Sequence, residues 1–226
     1  MSRFPQEQGR RGSQKWLQLA VNQPAPRHLD RLIADQIKGV GNINWSSPLV
    51  ADEYAEYRDE AFLKRIKLGA LKDELKDLWP ARGPQWDALA TTDVGDVLLV
   101  EAKAHIDEVF SPASAANDHS MQKIKAALTQ TATALGAKPL SPWETTFYQL
   151  ANRLAHLHFL REHGVKARLV LVNFVGDEDM HGPRTQEEWQ AAYKVVWHVL
   201  GVSDSGLGLK NVIHCFPHVS LFASTQ

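Results

Sequence analysis

Cysteine is nearly absent from this chain of 226 residues, which contains only Cys215. A single cysteine cannot form an internal disulfide bond, and it excludes a structural zinc site built from a cysteine cluster. The sequence also lacks an apolar run of about 18 residues and an apolar stretch near its first residues, so we expect no membrane span and no secretion signal. Together these absences favour a protein of the reducing cytoplasm.

An excess of charge of either sign is missing as well. The chain has 25 Lys and Arg residues against 26 Asp and Glu residues, a net charge of -1. This balance provides no broad positive field, so any contact with a polynucleotide must come from a local group of side chains. Hydrophobic residues make up 44% and charged residues 23%, which is typical of globular proteins and predicts a sizeable core.

The predicted organisation is a flexible leader at residues 1–14, which is polar, followed by a single α/β domain at residues 15–226. Apolar spacing predicts helices at residues 13–22, 26–37, 50–68, 121–135, 143–163 and 187–200. Two of these helices have capping-box signals at their starts, Ser141 with Glu144 and Thr185 with Glu188. Gly164 is the expected end of the helix at residues 143–163.

Strand signals complete the prediction of a mixed sheet covered by helices. Residues 86–106 contain two apolar runs around Asp93 and Asp96, a pattern typical of a hairpin. Residues 167–175 form a nearly continuous apolar run, which indicates a strand buried on both faces, and a shorter strand is expected at residues 212–216. Residues 68–84 show no strand pattern. The order of elements predicts the α/β class.

Charged residues gather on one face of the predicted hairpin. If the turn is centred on Val94, Asp87 lies opposite Glu101, and side chains that face each other in this way are about 5 Å apart. Lys103 comes two residues after Glu101 and shares its face, and His105 follows with the same period. A slip of one residue in the register would separate Asp87 from Glu101.

Two facing carboxylates in an apolar strand require a compensating positive charge, because an unpaired buried charge is unfavourable. Lys103 supplies one such charge. Carboxylate oxygens also suit hard divalent cations, so the pattern predicts a site for Mg²⁺ or Mn²⁺ held by Asp87 and Glu101. The alternative interpretation is a solvated pair of Glu101 and Lys103 at a sheet edge, with Asp87 in the turn region.

Asp87, followed fourteen positions later by Glu101-Ala102-Lys103 at the end of an apolar strand, resembles the PD-(D/E)XK nuclease superfamily. The resemblance covers about residues 50–175 and implies a restriction-endonuclease-like mixed β-sheet core flanked by helices. It also implies that Asp87 and Glu101 bind the metal and that Lys103 is catalytic. The activity implied is hydrolysis of DNA or RNA by a metal-activated water.

The resemblance further implies another metal-binding acid on the helix predicted at residues 50–68. Glu56 is our choice for this ligand. Glu53, Asp59 and Glu60 lie on the same acidic side and remain alternatives.

A polar stripe along the helix predicted at residues 143–163 supplies candidates for substrate binding. Gln149, Arg153 and His156 recur at i, i+4 and i+7, so they share one face. Members of the superfamily often carry a Gln near the active site on the corresponding helix. We therefore expect Gln149 and Arg153 to bind substrate, Arg153 through a phosphate, with His105 as a further candidate.

Two other functions stay open at this point. One is a nuclease-fold protein without catalytic activity, which would act as a binding or regulatory module with a protein partner or a second copy of the chain. The other is metal-dependent hydrolysis of a small phosphorylated molecule. A closed, narrow pocket would favour the second alternative over a polynucleotide substrate.

Overall fold

A five-stranded sheet forms the centre of the computed structural model, which describes residues 2–203 and 209–222. The strands in chain order are β1 (Arg3–Phe4), β2 (Ile43–Ser47), β3 (Glu56–Tyr57), β4 (Ala88–Thr92), β5 (Val97–Lys103), β6 (Ala167–Asn173) and β7 (Val212–Cys215). The α-helices are α1 (Gly12–Asn22), α2 (His28–Ala34), α3 (Asp59–Arg65), α4 (Lys72–Leu78), α5 (Asp118–Ala134), α6 (Tyr148–Glu162) and α7 (Gln186–Leu200).

The sheet is mixed, as the sequence predicts. Its strand order is β2-β4-β5-β6-β7. The pairs β2–β4 and β4–β5 are antiparallel, and the pairs β5–β6 and β6–β7 are parallel. Helices connect the parallel strands, which is the usual way to cross between them. The short strands β1 and β3 form a separate antiparallel pair.

Alternation along β5 divides the interior into two cores, one on each side of the sheet. Leu98 and Val100 belong to a cluster with residues of α1 and α2. Val97 and Leu99 face the other way, into a cluster built largely from α3 to α7. The sheet is therefore covered on both faces, and Glu101 and Lys103 continue the series that points toward the second core.

The hairpin register agrees with the prediction. Leu89 pairs with Leu99 and Thr91 with Val97, and the pair of Ala88 and Val100 brings Asp87 beside Glu101. Gly95 closes the turn with a φ of +85°, a conformation that residues with a Cβ rarely adopt.

The third antiparallel strand, β2, was missed in the sequence. It precedes the acidic segment instead of following it, and Asn44 pairs with Thr91 of β4. A register shift between Trp45 and Ser47 interrupts its alternation. Because of this irregularity and the polar residues around it, the segment resembles a loop in sequence.

The helix predicted at residues 50–68 is wrong. Glu53 and Tyr54 have φ values of 53° and 48°, which the interior of a right-handed α-helix does not contain, and Asp59 has a φ of 51° where α3 begins. Asp52, just before these residues, accepts hydrogen bonds from Arg3 and Arg65, which tie the bent segment to β1 and α3. The segment instead contains the short strand β3 and the seven-residue helix α3.

The predicted start of the helix at residues 143–163 is also wrong. Helix α6 begins at Tyr148, and Phe147 before it has a φ of 55°. Ser141 caps nothing, since its hydroxyl contacts Thr146 Oγ1 at 2.8 Å. Trp143 is buried and its indole N–H donates to the Leu200 carbonyl at 2.9 Å, so tertiary packing overrides the local signal. The predicted end at Gly164 is confirmed, with a φ of +76°.

The remaining predicted elements are present with boundaries shifted by a few residues. Thr185 caps α7 by accepting from the Glu188 backbone N–H at 3.2 Å, as the capping box predicts. Arg3 and Phe4, which we expected in a flexible leader, pair with β3. Over the two ranges given above, no helix combines the length and the apolar character that a membrane crossing requires.

Candidate functional site

The end of β5 carries the charged residues predicted from the hairpin. Glu101 and Lys103 are buried and face α6, with Glu101 beside Leu171 and Lys103 beside Asn173 in the parallel register. Asp87 lies just before β4, and its Oδ2 accepts a hydrogen bond from the Ala102 backbone N–H at 2.8 Å. The structure therefore brings Asp87, Glu101 and Lys103 together.

Both oxygens of Glu101 bind cationic side chains. Oε1 accepts a hydrogen bond from Lys103 Nζ, and Oε2 accepts one from Arg153 Nε at 2.7 Å. The Glu101 side chain is 3% exposed and that of Arg153 is 4% exposed. Paired in this way, the carboxylate satisfies the usual requirement for burying a charge.

Arg153 occupies the position expected from the stripe on α6, but its donors are directed into the protein. Besides Nε, one terminal nitrogen donates to Asn152 Oδ1 at 2.9 Å and the other to the Gln85 carbonyl at 2.7 Å. Its guanidinium also lies 4.8 Å from the centre of the Trp86 ring, within cation–π range. Its contacts are those of a residue that positions Glu101, and binding of a phosphate by Arg153 stays a prediction.

Gln149 reaches the same cluster from the first turn of α6. Its Oε1 accepts a hydrogen bond from Lys103 Nζ at 2.9 Å, and its backbone N–H donates to Ser111 Oγ at 2.8 Å. Lys103 therefore bridges Glu101 and Gln149. A lysine has three N–H donors, so one remains for another partner.

Glu56 lies near this cluster, although it belongs to β3 and not to a helix. Its Oε2 accepts from Gln85 Nε2 at 2.5 Å and from Gln6 Nε2 at 3.3 Å. Burial raises the pKa of Glu56 and the charge of Glu101 raises it further, and Glu56 lines the same cleft as Asp87.

The three alternatives to Glu56 have other partners. Glu53 accepts from Arg3 at 2.8 Å, and Glu60 forms an ion pair with Lys64 at 2.5 Å. Asp59 accepts from the Gly83 backbone N–H at 2.8 Å. Of the four candidate acids, the structure brings only Glu56 to the hairpin carboxylates.

The electrostatics of the cluster show an excess of negative charge. Burial raises the pKa of Asp87 well above its ordinary value, and the charge of Glu101 raises it further. Burial acts in the same direction on Glu101, but Arg153 and Lys103 outweigh it and lower the pKa of that residue. Burial opposes the charge of Lys103, yet Glu101 and Asp87 raise its pKa. Three carboxylates, with Glu56, thus face two cations.

A cleft of about 640 Å³ opens beside the cluster. Glu56, Asp87, Gln149 and Arg153 line it, together with residues 110–115 of the loop before α5. Its charged lining is mostly acidic, with Arg153 as the one cation among the lining residues of the described chain. The cleft is wide and open to solvent, in contrast to a closed small-molecule pocket.

The structure does not bring His105 to the carboxylates of Asp87 and Glu101. Its ring lies 4.0 Å from Asp107 and 3.8 Å from Glu108, just beyond the end of β5. The backbone N–H of His105 donates to Glu108 Oε2 at 3.3 Å. The period-two pattern that placed His105 with Lys103 fails because the strand ends at Lys103.

Two residues of the cluster had no clear signal in the sequence. Asn152 orients Arg153, and Gln85 contacts both Glu56 and Arg153. Asn152 was visible beside the polar stripe of α6, where packing or capping is the more common role. Gln85 lies in an irregular segment, so no periodicity indicates its direction.

A metal ion would require a rearrangement of these side chains. Within residues 2–203 and 209–222, no group of three or more His, Cys, Asp or Glu side chains is arranged closely enough to hold one.

No protein-family model, curated protein or solved structure matches the chain.

Proposed function

We propose that this protein is a metal-dependent phosphodiesterase with a restriction-endonuclease-like core, which hydrolyses DNA or RNA by means of a metal-activated water. The observation that carries the proposal is the meeting of Asp87, Glu101 and Lys103 at the end of β5, beside an open cleft. The antiparallel pairing of β4 and β5 and the parallel pairing of β5 and β6 support the proposed core.

The donor chemistry of the site fits a hard divalent cation. Glu56, Asp87 and Glu101 offer carboxylate oxygens, and burial together with the charge of Glu101 disfavours an ionised Asp87 in the absence of a further cation. These three residues would hold Mg²⁺ or Mn²⁺. Since Lys103 and Arg153 bond both oxygens of Glu101, binding through Glu101 requires the exchange of one of these partners. When bound, the cation would polarise a phosphoryl oxygen and lower the pKa of a water molecule.

Lys103 is the group of this chain best placed to assist the reaction. Its raised pKa keeps the ammonium charged, and two of its three donors are fixed by Glu101 and Gln149. The third donor is available to stabilise negative charge that develops on the phosphate. A donor held in place before the reaction needs no reorganisation during it.

Substrate contacts are assigned to the cleft. The side-chain N–H groups of Gln149 have no hydrogen-bond partner within the described residues, so they are available to a phosphate oxygen. Arg153 lies at the wall of the cleft and keeps Glu101 in position. Tyr148 and the exposed Phe110 line the same cleft, and aromatic rings of this kind stack on nucleobases.

Calorimetric titration of Mn²⁺ tests this proposal without a choice of substrate. Wild type is expected to bind the ion, and Asp87→Asn to lose binding because the amide carries no negative charge. Asp107→Asn is the matched control, since Asp107 lines the same cleft but its side chain is 96% exposed and lies apart from the carboxylates. Failure of wild type to bind Mn²⁺ would contradict the proposed chemistry.

A second candidate function is a nuclease-fold binding or regulatory module that does not cleave. The complete pairing of Glu101 with Lys103 and Arg153 favours it, because the chain itself balances this carboxylate without a metal. This function predicts weak or absent Mn²⁺ binding. It also predicts that affinity for a protein partner persists in Glu101→Gln.

A further inference from the structure

A second cavity, of about 380 Å³, lies between α3, α4 and the start of α5. Trp79, Leu75 and Pro80 form part of its wall, and His156 of α6 lies at its buried end. A volume in this range is typical of pockets that bury small ligands. The cavity shares none of its lining residues with the cleft that contains Asp87.

His156 presents an unpartnered nitrogen to this cavity. The residue is 1% exposed, and its Nδ1 lies 2.8 Å from the Asn152 carbonyl oxygen, which can only accept a hydrogen bond. Nδ1 therefore carries the proton, and Nε2 of the neutral ring is an acceptor. No residue of the described chain donates to Nε2.

The ring is held in its neutral form and in a fixed orientation. Burial and the charge of Arg153 lower the pKa of His156 to about 3. Trp79 and Trp86 contact the imidazole with their rings in edge-to-face geometry, at centroid distances of 5.0 and 6.2 Å. Nε2 therefore faces the cavity as an acceptor without a donor from the described chain, so a ligand with an N–H group can bind to it there.

The rim of the cavity is positively charged. Lys72, Lys76 and Lys123 line it, and each has three N–H donors. Lys76 uses one on Asp73 at 3.2 Å, and Lys123 uses one on the Lys76 carbonyl at 2.6 Å. Donors and charge therefore remain for a bound anion.

The two acids of the rim have partners within the protein. Asp59 forms an ion pair with Arg58 at 3.7 Å and accepts from the backbone N–H of Gly83, and Glu60 pairs with Lys64. Their charges are thus already compensated, and the lysines set the sign of the rim.

We propose that this cavity binds a planar nitrogen heterocycle that carries an anionic group, of the class of a nucleoside monophosphate. An N–H group of the base, on the ring or exocyclic, donates to His156 Nε2, the base packs against Trp79 and Leu75, and the phosphate lies at the lysine rim. This binding site is separate from the proposed hydrolysis and does not depend on it.

The ¹⁵N resonance of His156 Nε2 in the full-length protein provides the direct test. Adenosine 5′-monophosphate and uridine 5′-monophosphate are expected to move it upfield, since both bases offer an N–H donor. Adenosine is expected to bind about tenfold more weakly, because it lacks the contact with the lysines. Inorganic phosphate alone should leave the resonance in place.

Calorimetry with adenosine 5′-monophosphate on His156→Phe gives a second readout. Phenylalanine keeps the aromatic contacts and removes the acceptor, so affinity is expected to fall about tenfold. His163→Phe is the matched control. His163 Nδ1 also lies 2.8 Å from the carbonyl oxygen four residues earlier, but at the exposed end of α6. This variant should bind the nucleotide as tightly as wild type.

The proposal is overturned if neither nucleotide moves the Nε2 resonance of the wild-type protein. It is equally overturned if His156→Phe binds the nucleotide as tightly as wild type. Should that variant fail to fold, the resonance of the wild-type protein decides alone.

Discussion

At the scale of single residues, the site depends on how Glu101 shares its two oxygens. Lys103 reaches one oxygen from the same strand, and Arg153 reaches the other from α6. Lys103 retains a free donor, whereas all the nitrogens of Arg153 have acceptors inside the protein. The two cations therefore differ in their contacts: Arg153 ties the carboxylate to Asn152 and Gln85, and Lys103 ties it to Gln149, while a catalytic role of Lys103 stays a prediction.

Replacing Lys103 with Met tests this catalytic role. Methionine has a similar length but no donor, so cleavage of a mixed panel of DNA and RNA is expected to fall by at least about 100-fold. Mn²⁺ binding should persist, because Asp87, Glu101 and Glu56 remain. Undiminished cleavage would show that Lys103 has no catalytic role.

The residues of the cluster differ in how far the sequence predicted them. Asp87, Glu101 and Lys103 follow from alternation in a hairpin, which fixes both the face and the partner of each side chain. Glu56, our choice for a further metal ligand, lines the cleft with Asp87, but it belongs to β3 and not to the helix that we expected; metal binding by Glu56 stays a prediction. Gln85 and His105 lie outside regular strands, where spacing carries no information about direction.

At the scale of elements, local signals succeed where tertiary contacts agree with them. The capping box at Thr185 starts α7 where predicted, but the similar signal at Ser141 starts nothing. Around Ser141 the tertiary contacts differ: Trp143 is buried, its indole donates to the Leu200 carbonyl, and the helix begins only at Tyr148. A local pattern alone does not contain this information.

Alanine substitutions at Thr185 and at Ser141 distinguish a residue that caps a helix from one that only matches the capping pattern. Thr185→Ala is expected to lower the free energy of unfolding by about 1 kcal/mol, since an orphan N–H of α7 loses its acceptor. Ser141→Ala should change it by less than about 0.5 kcal/mol, as is usual away from caps and cores. Urea denaturation measures both, and equal losses would contradict the assignment.

The strands show the same contrast between local and tertiary information. Strand β6 was predicted because burial on both faces leaves a continuous apolar sequence. Strand β2 lies at the sheet edge and has a register shift, so its sequence resembles a loop. The helix predicted at residues 50–68 does not form, and the contacts of Asp52 with Arg3 and Arg65 tie the bent segment to β1 and α3.

At the scale of the whole molecule, helices cover both faces of the sheet and enclose the charged residues at the end of β5. Glu101 lies between the sheet and α6, and Asp87 lies at the margin of the same core. The sequence predicted this mixed sheet with helices on both sides, because apolar runs alternate with amphipathic segments along the chain. The sequence does not predict the balance of charge within the core, because that balance depends on which side chains meet in the folded protein.

Stability should therefore depend on pH through Asp87. Its pKa is raised in the folded state, so folding favours the protonated form, and this stabilisation is lost as pH rises through the folded pKa. Asp87→Asn, which resembles the protonated acid, is expected to be more stable than wild type at pH 7 in a chelator. The difference should disappear below the ordinary pKa of 3.8, where Asp87 is protonated in both the folded and the unfolded chain.

Thermal or urea denaturation across this pH range measures the difference. Added Mn²⁺ should raise the stability of wild type and leave Asp87→Asn unchanged, because only the species that binds the ion is stabilised by it. A variant less stable than wild type at pH 7 would show that Asp87 contributes to the fold through contacts that outweigh its charge.

The pairing of β1 with β3 sets a condition for preparing the protein. Phe4 lies opposite Glu56, and Arg3 bonds to Asp52, so the first residues support the strand that carries one of the three carboxylates. An affinity tag or a deletion at the amino end would act directly on this support. Samples for metal titration should therefore carry any purification tag elsewhere and retain residues 2–5.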